Sequence, residues 1–180
     1  MPHIHHGHGE HDHTASAYII RTDHAEPAVM LHLHRKLGRY FQFGGHIELN
    51  ETPWQAVIRE ITEESGYLPE QLQVLQPPGM LEMANTPGLV RHPYPVDYNT
   101  HQFKDDTHFH TDTAYAFVAS APPAQSPEET ESQDIQLFTL DQLAHPNVEL
   151  LVPYTISVAS YILKVAYVDW KRVSLSKWVR

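Results

Sequence analysis

The segment from Thr52 to Gly66 constrains the fold more than any other part of the chain. Thr52 has the chemistry of a helix N-cap, and Pro53 suits the first helical position, where its missing N–H costs nothing. Gln55 stands three residues after Thr52, the spacing of a capping box. Gly66 suits the left-handed residue that closes a helix. The spacing predicts a helix over Pro53–Ser65. Trp54, Val57, Ile58 and Ile61 recur at i, i+3, i+4, i+7 and form the stripe such a helix buries. Glu60, Glu63 and Glu64 fall at i, i+3, i+4 and share another face. Arg59 is the only basic residue among them. Two readings fit this crowding of like charge. One is an acidic face kept in water, where screening weakens the repulsion. The other is a seat for a hard divalent cation with oxygen ligands, Mg²⁺ first, with Mn²⁺ or Ca²⁺ behind it.

The surroundings of the helix narrow the choice. Gly45, then Glu51, Arg59-Glu60-Ile61, Glu63-Glu64 and Gly66 stand at the fixed positions of the signature of the Nudix hydrolases, of the MutT-like kind. The chain departs from it mildly at Tyr67, where an aliphatic residue is usual. The resemblance covers the box directly and extends over most of Ser16 to about Tyr167. It implies a loop–helix–loop in which Glu60, Glu63 and Glu64 hold the metal, joined by the Gly45 carbonyl, while Glu51 and Arg59 steady the loop against the helix. It further implies an α/β/α sandwich around a mixed sheet and hydrolysis of a diphosphate linkage by water. The physical chemistry agrees. A divalent ion on a diphosphate neutralises charge and lowers the pKa of an attacking water, and attack on phosphorus needs positioning and electrostatics more than a protein nucleophile.

At 180 residues the chain is long enough for one domain with a substantial core. Twelve basic residues stand against 22 acidic ones, a formal net charge of −10. Such a balance argues against non-specific binding to nucleic acid or to an anionic membrane. A phosphorylated small molecule of the nucleotide type is the expected partner, bridged to the acidic protein by a cation. Cysteine is absent, which removes disulfides and thiol catalysis. An isoprenoid diphosphate isomerase, also found in the superfamily, relies on a cysteine and fits poorly. No apolar run reaches membrane-spanning length and no signal peptide is visible, so a cytoplasmic location is the default expectation.

In chain order, residues 1–15 carry a histidine-rich stretch expected to form a flexible tail, with the domain proper over 16–180. Metal binding by the tail is one reading of its imidazoles. Ala17–Arg21 and Val29–Leu33 read as strands, with His32 and His34 on one strand face near the cleft. Arg35, Lys36 and Arg39 are the only basic cluster near the box, and Arg35 and Arg39 are candidates for phosphate contact. Gly44-Gly45 allows close approach of backbone to a ligand. Leu72–Leu75 reads as a strand, and Met80–Met83 as an extension of the sheet. Asn85–Pro95 reads as a loop that shapes specificity. Val96–Phe103 and His108–Ala119 alternate as two strands of a hairpin. His108, His110 and Asp112, with His101 nearby, read either as a solvated polar face or as a second metal site or substrate wall, with His110 the candidate substrate contact.

Pro122–Ser132 is a loop rich in Pro, Glu and Ser, a candidate lid. Relatives sometimes supply a further catalytic carboxylate from this part of the fold, which makes Glu128, Glu129 and Glu131 candidates for a general base. Ile135–Thr139 reads as a strand and Leu140–Ala144 as a short helix. Pro153–Asp169 reads as a long helix with a stripe of Ile156, Ala159, Leu163, Ala166 and Trp170. The basic, amphipathic tail Lys171–Arg180 either covers the core or packs on a second copy of the chain in a homodimer. The competing function is a non-catalytic module on the same fold that senses a nucleotide metabolite.

Overall fold

The computed structural model describes residues 7–80, 87–102, 107–145 and 150–178. The first strand, β1 (His11–Arg21), is eleven residues long and has alternating faces. Tyr18 and Ile20 enter one apolar core, while Ala15, Ala17 and Ile19 enter a second on the opposite side. His11–Ala15, expected in the tail, therefore belong to the sheet. Asp12 and Ala15 are buried because β1 pairs over its whole length with β7 (Phe109–Ala119). That pairing is parallel and unbroken from His11↔Phe109 to Arg21↔Ala119.

This parallel pair is the spine of a nine-stranded mixed sheet. Each member has two antiparallel partners along its outer edge. The later half of β1 pairs with β2 (Ala28–His34), and its earlier half with β4 (Phe43–His46). Between them β3 (Arg39–Phe41) pairs with the end of β2, so residues 39–46 cross from one neighbour to the other. On β7, β5 (Leu72–Gln76) pairs with the later half and β6 (Asp97–His101) with the earlier half. The β6–β7 pairing matches the expected hairpin; its connection, 103–106, lies outside the described residues, as does the expected sheet extension from Leu81 onward. β8 (Ile135–Thr139) closes the other edge of β2.

Helices cover both faces of the sheet. On one side α1 (Pro53–Ser65) buries Trp54, Val57 and Ile61 against Ile19, Phe43 and Phe117, with Ile58 partly covered. On the other, α2 (Leu140–Ala144) and α3 (Pro153–Tyr161) pack on Val29, Leu31, Ala116 and Val118. The long C-terminal helix of the sequence reading is interrupted. A π-helical turn, Ile162–Ala166, joins α3 to a last helical turn, α4 (Tyr167–Asp169). Ala159, Leu163 and Ala166 are buried, and Ile156 and Trp170 partly so. The basic tail covers the core of its own chain. β9 (Lys171–Ser174) pairs with β5, and Leu175 is buried beside Val74 in the α1-side core. Among the described residues no helix is long and apolar enough to cross a membrane.

Candidate active site

α1 is built as its capping chemistry dictates. The Thr52 hydroxyl accepts from the Gln55 N–H at 3.3 Å, and the Gln55 side chain accepts from the Thr52 N–H at 2.9 Å. Gly66 closes the helix at φ 73°, and its N–H reaches the Thr62 carbonyl. No side chain fits there, because a Cβ on Gly66 would stand 2.1 Å from the Gln125 carbonyl oxygen. Tyr67 is fully buried, and its hydroxyl donates to the Ala121 carbonyl at 2.6 Å. An aromatic ring thus fills the position where an aliphatic residue is usual, and ties the helix end to the loop after β7.

The register of β4 against β1 places Gly44 and Gly45 opposite Ser16 and Ala15, directly over α1. Gly44 adopts φ +140°, and a Cβ there would meet the Ala15 carbonyl oxygen at 2.4 Å. Its N–H donates to Glu64 Oε2 at 2.7 Å. A Cβ on Gly45 would meet Glu60 Oε1 at 2.4 Å. Bare backbone here lets two carboxylates of one helix reach the strand.

Arg59 organises the rest. Its Nε and Nη2 grip Glu51 in a bidentate pair at 2.7 and 3.0 Å. Its Nη1 donates to Glu60 at 2.8 Å and Glu63 at 3.0 Å, and Nη2 also reaches the His46 carbonyl at 3.2 Å. The guanidinium is held firmly charged by Glu51 and Glu60. It pulls Glu51 below the usual carboxylate range. Loop, strand and helix are locked together through one side chain.

Glu60 and Glu64 are 4% and 6% exposed, so they do not form a solvated acidic face. Burial pushes Glu60 upward against the pull of Arg59. Burial also pushes Glu64 up to about 9, partly offset by the Gly44 N–H and reinforced by the charges of Glu60, Glu131 and Glu63. The neighbour of Glu64 on β2 is His32, whose Nδ1 lies 3.9 Å from Glu64 Oε1. His32 is itself buried and driven down to about 4, so it offers no counter-charge near neutral pH. Its Nδ1 has no hydrogen-bond partner among the described residues. Two desolvated carboxylates, a third half-buried one and an unpartnered imidazole nitrogen make a site short of positive charge. This donor set, rich in oxygen and next to bare backbone, fits a hard divalent cation.

The other predicted residues fall into three places. The Pro122–Ser132 loop docks on the end of α1, with the Glu128 N–H donating to the Glu63 carbonyl at 2.8 Å. Of its three carboxylates, Glu131 is the one whose charge is felt at Glu60 and Glu64. Arg35 donates to the Thr130 carbonyl at 2.5 Å, so it fastens this loop to the end of β2. Arg39 is exposed on β3, across from His34. His110 is not brought to the glutamates. It shares the alternation of Ala114 and Ala116 and so faces the α3 side of the sheet. His108, His110 and Asp112 are 2%, 4% and 2% exposed, which overturns the reading of a solvated strand face. Parallel β1 covers that strand and supplies Thr14 and Ser16 hydroxyls to Asp112 at 2.8 and 2.9 Å. The sequence reading put His32 on a strand face near the cleft but not beside Glu64, and it missed the roles of the Gly44 N–H and the His46 carbonyl. For His32 a signal existed, since it shares the face of Met30, which packs on the α1 side.

A cleft of about 390 Å³ lies beside the box loop, between Ile47, Glu48, Leu49 and Pro53 on one side and Asp12, Tyr98 and Thr113 on the other. It is not centred on the glutamates.

Comparison with known proteins agrees with this fold. The family model described as the NUDIX domain matches residues 11–155. A NUDIX-family hydrolase from Clostridium perfringens superposes with a TM-score of 0.66 at 24% identity, covering 86% of this chain and 97% of that one. An Ap4A hydrolase from C. elegans superposes at 0.59 with 17% identity, over 82% and 92% of the two chains. The NUDIX domain of Shewanella oneidensis NrtR, in a complex with ADP ribose, superposes at 0.54 with 14% identity, over 78% and 80%. A comparison with curated protein sequences finds no match. With the family model spanning most of the chain and beginning, like β1, at His11, the protein belongs to the Nudix hydrolase family.

Proposed function

We propose that the protein is a metal-dependent diphosphohydrolase that cleaves the diphosphate linkage of a nucleoside diphosphate joined to another group, with water as nucleophile. One observation carries the reading: Glu60 and Glu64 are buried on α1 against Gly45 and Gly44, and Arg59, which reaches Glu60, is already shared with Glu51 and Glu63. A purely structural helix has no use for such a desolvated acidic cluster, whereas a diphosphate substrate on a protein of net charge −10 needs a cation between them. Glu60, Glu63, Glu64 and the Gly45 carbonyl would hold Mg²⁺, or Mn²⁺ in its place. When bound, the cation would neutralise the diphosphate and make a bound water a better nucleophile.

The chain's own groups do the positioning. Arg59 fixes the spacing of Glu51, Glu60 and Glu63, and the Gly44 N–H fixes Glu64. Glu131, brought in by the loop that Arg35 anchors, is the candidate proton acceptor for the attacking water. The cleft between Leu49 and Tyr98, which are 88% and 65% exposed, offers apolar surface to a nucleoside. A non-catalytic module on the same fold that senses a nucleotide metabolite is the alternative; the similar NUDIX domain of Shewanella oneidensis NrtR is complexed with ADP ribose.

The test is a panel of diphosphate-containing nucleotides incubated with Mg²⁺ and with Mn²⁺: nucleoside triphosphates, nucleotide sugars, ADP-ribose, NADH, dinucleoside polyphosphates and coenzyme A. Metal-dependent turnover of one of them supports the hydrolase and names its substrate. Binding without turnover across the panel favours the sensing module.

A further inference from the structure

Glu64 is the one carboxylate of the box that Arg59 does not hold. The guanidinium bonds Glu51, Glu60 and Glu63. Among the described residues Glu64 receives a single hydrogen bond, from the Gly44 N–H to Oε2 at 2.7 Å. Its other oxygen, Oε1, stands 3.9 Å from Nδ1 of His32 on β2.

His32 is a costly residue for its place. Its register partners are Phe41 on one side and Ile135 on the other. It shares the face of Met30, and Met30, Phe43 and Ile135 all belong to the apolar core under α1. The imidazole is 3% exposed, and its ring lies 5.1 Å from that of Phe43 and 6.1 Å from that of His34. Paired strands on both sides fix its backbone. A buried polar nitrogen without a partner is destabilising, and Nδ1 has no hydrogen-bond partner among the described residues. An apolar side chain would fill the position at lower cost. The imidazole finds a use if Nδ1 gains a partner when the site is loaded, and Glu64 Oε1 is the acceptor beside it. His34, next on the same face, does not fit the role, because the Leu37 N–H already donates to its Nδ1 at 3.3 Å.

The chemistry of Glu64 supplies the occasion. A carboxylate that holds a cation is ionised, and an ionised carboxylate at this depth needs hydrogen-bond donors. The Gly44 N–H serves Oε2, which leaves Oε1. The terminal torsions of histidine and glutamate are both broad. A small turn of either closes the remaining gap of about 1 Å to a hydrogen bond. Building on the metal-dependent reading above, we infer that His32 is a positioning residue for Glu64: with the cation seated, its Nδ1–H donates to Oε1, so that the carboxylate is held at both oxygens. Each oxygen keeps a further lone pair for the cation. The inference also fixes the His32 tautomer, with the proton on Nδ1 and the lone pair on Nε2.

The test uses the full chain and Mg²⁺ alone. Isothermal titration calorimetry gives the Mg²⁺ affinity of the parent, of His32→Leu and of His32→Asn. Asparagine carries an amide N–H close to the place of Nδ1, whereas leucine fills the volume without a donor. The expected result is affinity at least about 10-fold weaker in His32→Leu, the scale for losing a support of a metal ligand, and largely restored in His32→Asn. Circular dichroism checks that both variants fold. If His32→Leu does not, NMR of the parent labelled with ¹⁵N at its histidine rings decides, because long-range proton–nitrogen correlations show which nitrogen carries the proton. The expected position in the Mg²⁺-loaded protein is Nδ1. Unchanged affinity in folded His32→Leu, or a proton on Nε2 in the loaded protein, overturns the inference and leaves the metal-dependent reading standing. A parent that binds no Mg²⁺ overturns both.

Discussion

Arg59 is the residue on which the geometry of the candidate site turns. It binds two carboxylates of its own helix and one from the preceding loop. Removing it leaves three acidic groups to spread apart. Arg59→Ala should lower kcat about 100-fold, the scale of a small misplacement of catalytic groups. Arg59→Lys should recover little of it, because an ammonium cannot supply the planar fork that Glu51 accepts. Steady-state kinetics on the substrate found in the panel checks both. Glu64 makes a prediction about pH. Its ordinary value of 4.5 is raised to about 9 in the folded, metal-free protein. A raised pKa means the folded state holds the proton more tightly than the unfolded chain. The associated stability is complete below about 4.5 and is lost as pH rises toward 9. Thermal melts in a chelator should therefore show Tm falling over that interval, and Mg²⁺ should restore more Tm at its upper end than at its lower end. A Tm that Mg²⁺ leaves unmoved near pH 9 would argue against Glu64 as a ligand.

At the scale of elements, α1 was legible almost completely from the sequence. Its cap, its proline, its buried stripe and its terminal glycine are local signals, set by residues within four positions of one another, and the helix runs over the predicted Pro53–Ser65. What the sequence did not reveal is contact between elements. The burial of Glu60 and Glu64 depends on β4 lying over the helix, and that follows from pairing between Ser16 and Gly44, 28 positions apart in the chain. The same holds for the contact of His32 with Glu64, and for the polar strand beside β1. The two glycines of β4 should separate activity from stability. In Gly45→Ala the new methyl meets the end of a flexible side chain, Glu60, which can move aside. Activity should fall well before stability does. In Gly44→Ala the methyl meets the Ala15 backbone at a positive φ, so stability should drop by about 1–3 kcal/mol. Urea melts beside kinetic assays distinguish the two outcomes.

For the molecule as a whole, the fold class was legible and the wiring was not. Alternating strands and two amphipathic helices imply a covered sheet, yet they do not say that β1 and β7 run parallel at its centre or that β8 returns to β2. Those choices rest on long-range packing. The C-terminal segment shows the consequence. Its alternation of basic and apolar residues suited either the chain's own core or a second copy, and the structure uses it as an edge strand on β5. A chain ending at Trp170 should expose the β5 edge and the seat of Leu175, lowering Tm and promoting aggregation. Light scattering during a thermal ramp tests this.

We propose that the desolvated glutamates of α1 serve metal-dependent hydrolysis. The most direct measurement is product formation from the nucleotide panel across a range of Mg²⁺ concentrations, for the parent protein and for Glu64→Gln. The parent should release a phosphorylated product with saturable Mg²⁺ dependence, and the folded variant should lose at least about 100-fold. Turnover that ignores Mg²⁺, or that survives Glu64→Gln undiminished, would contradict it.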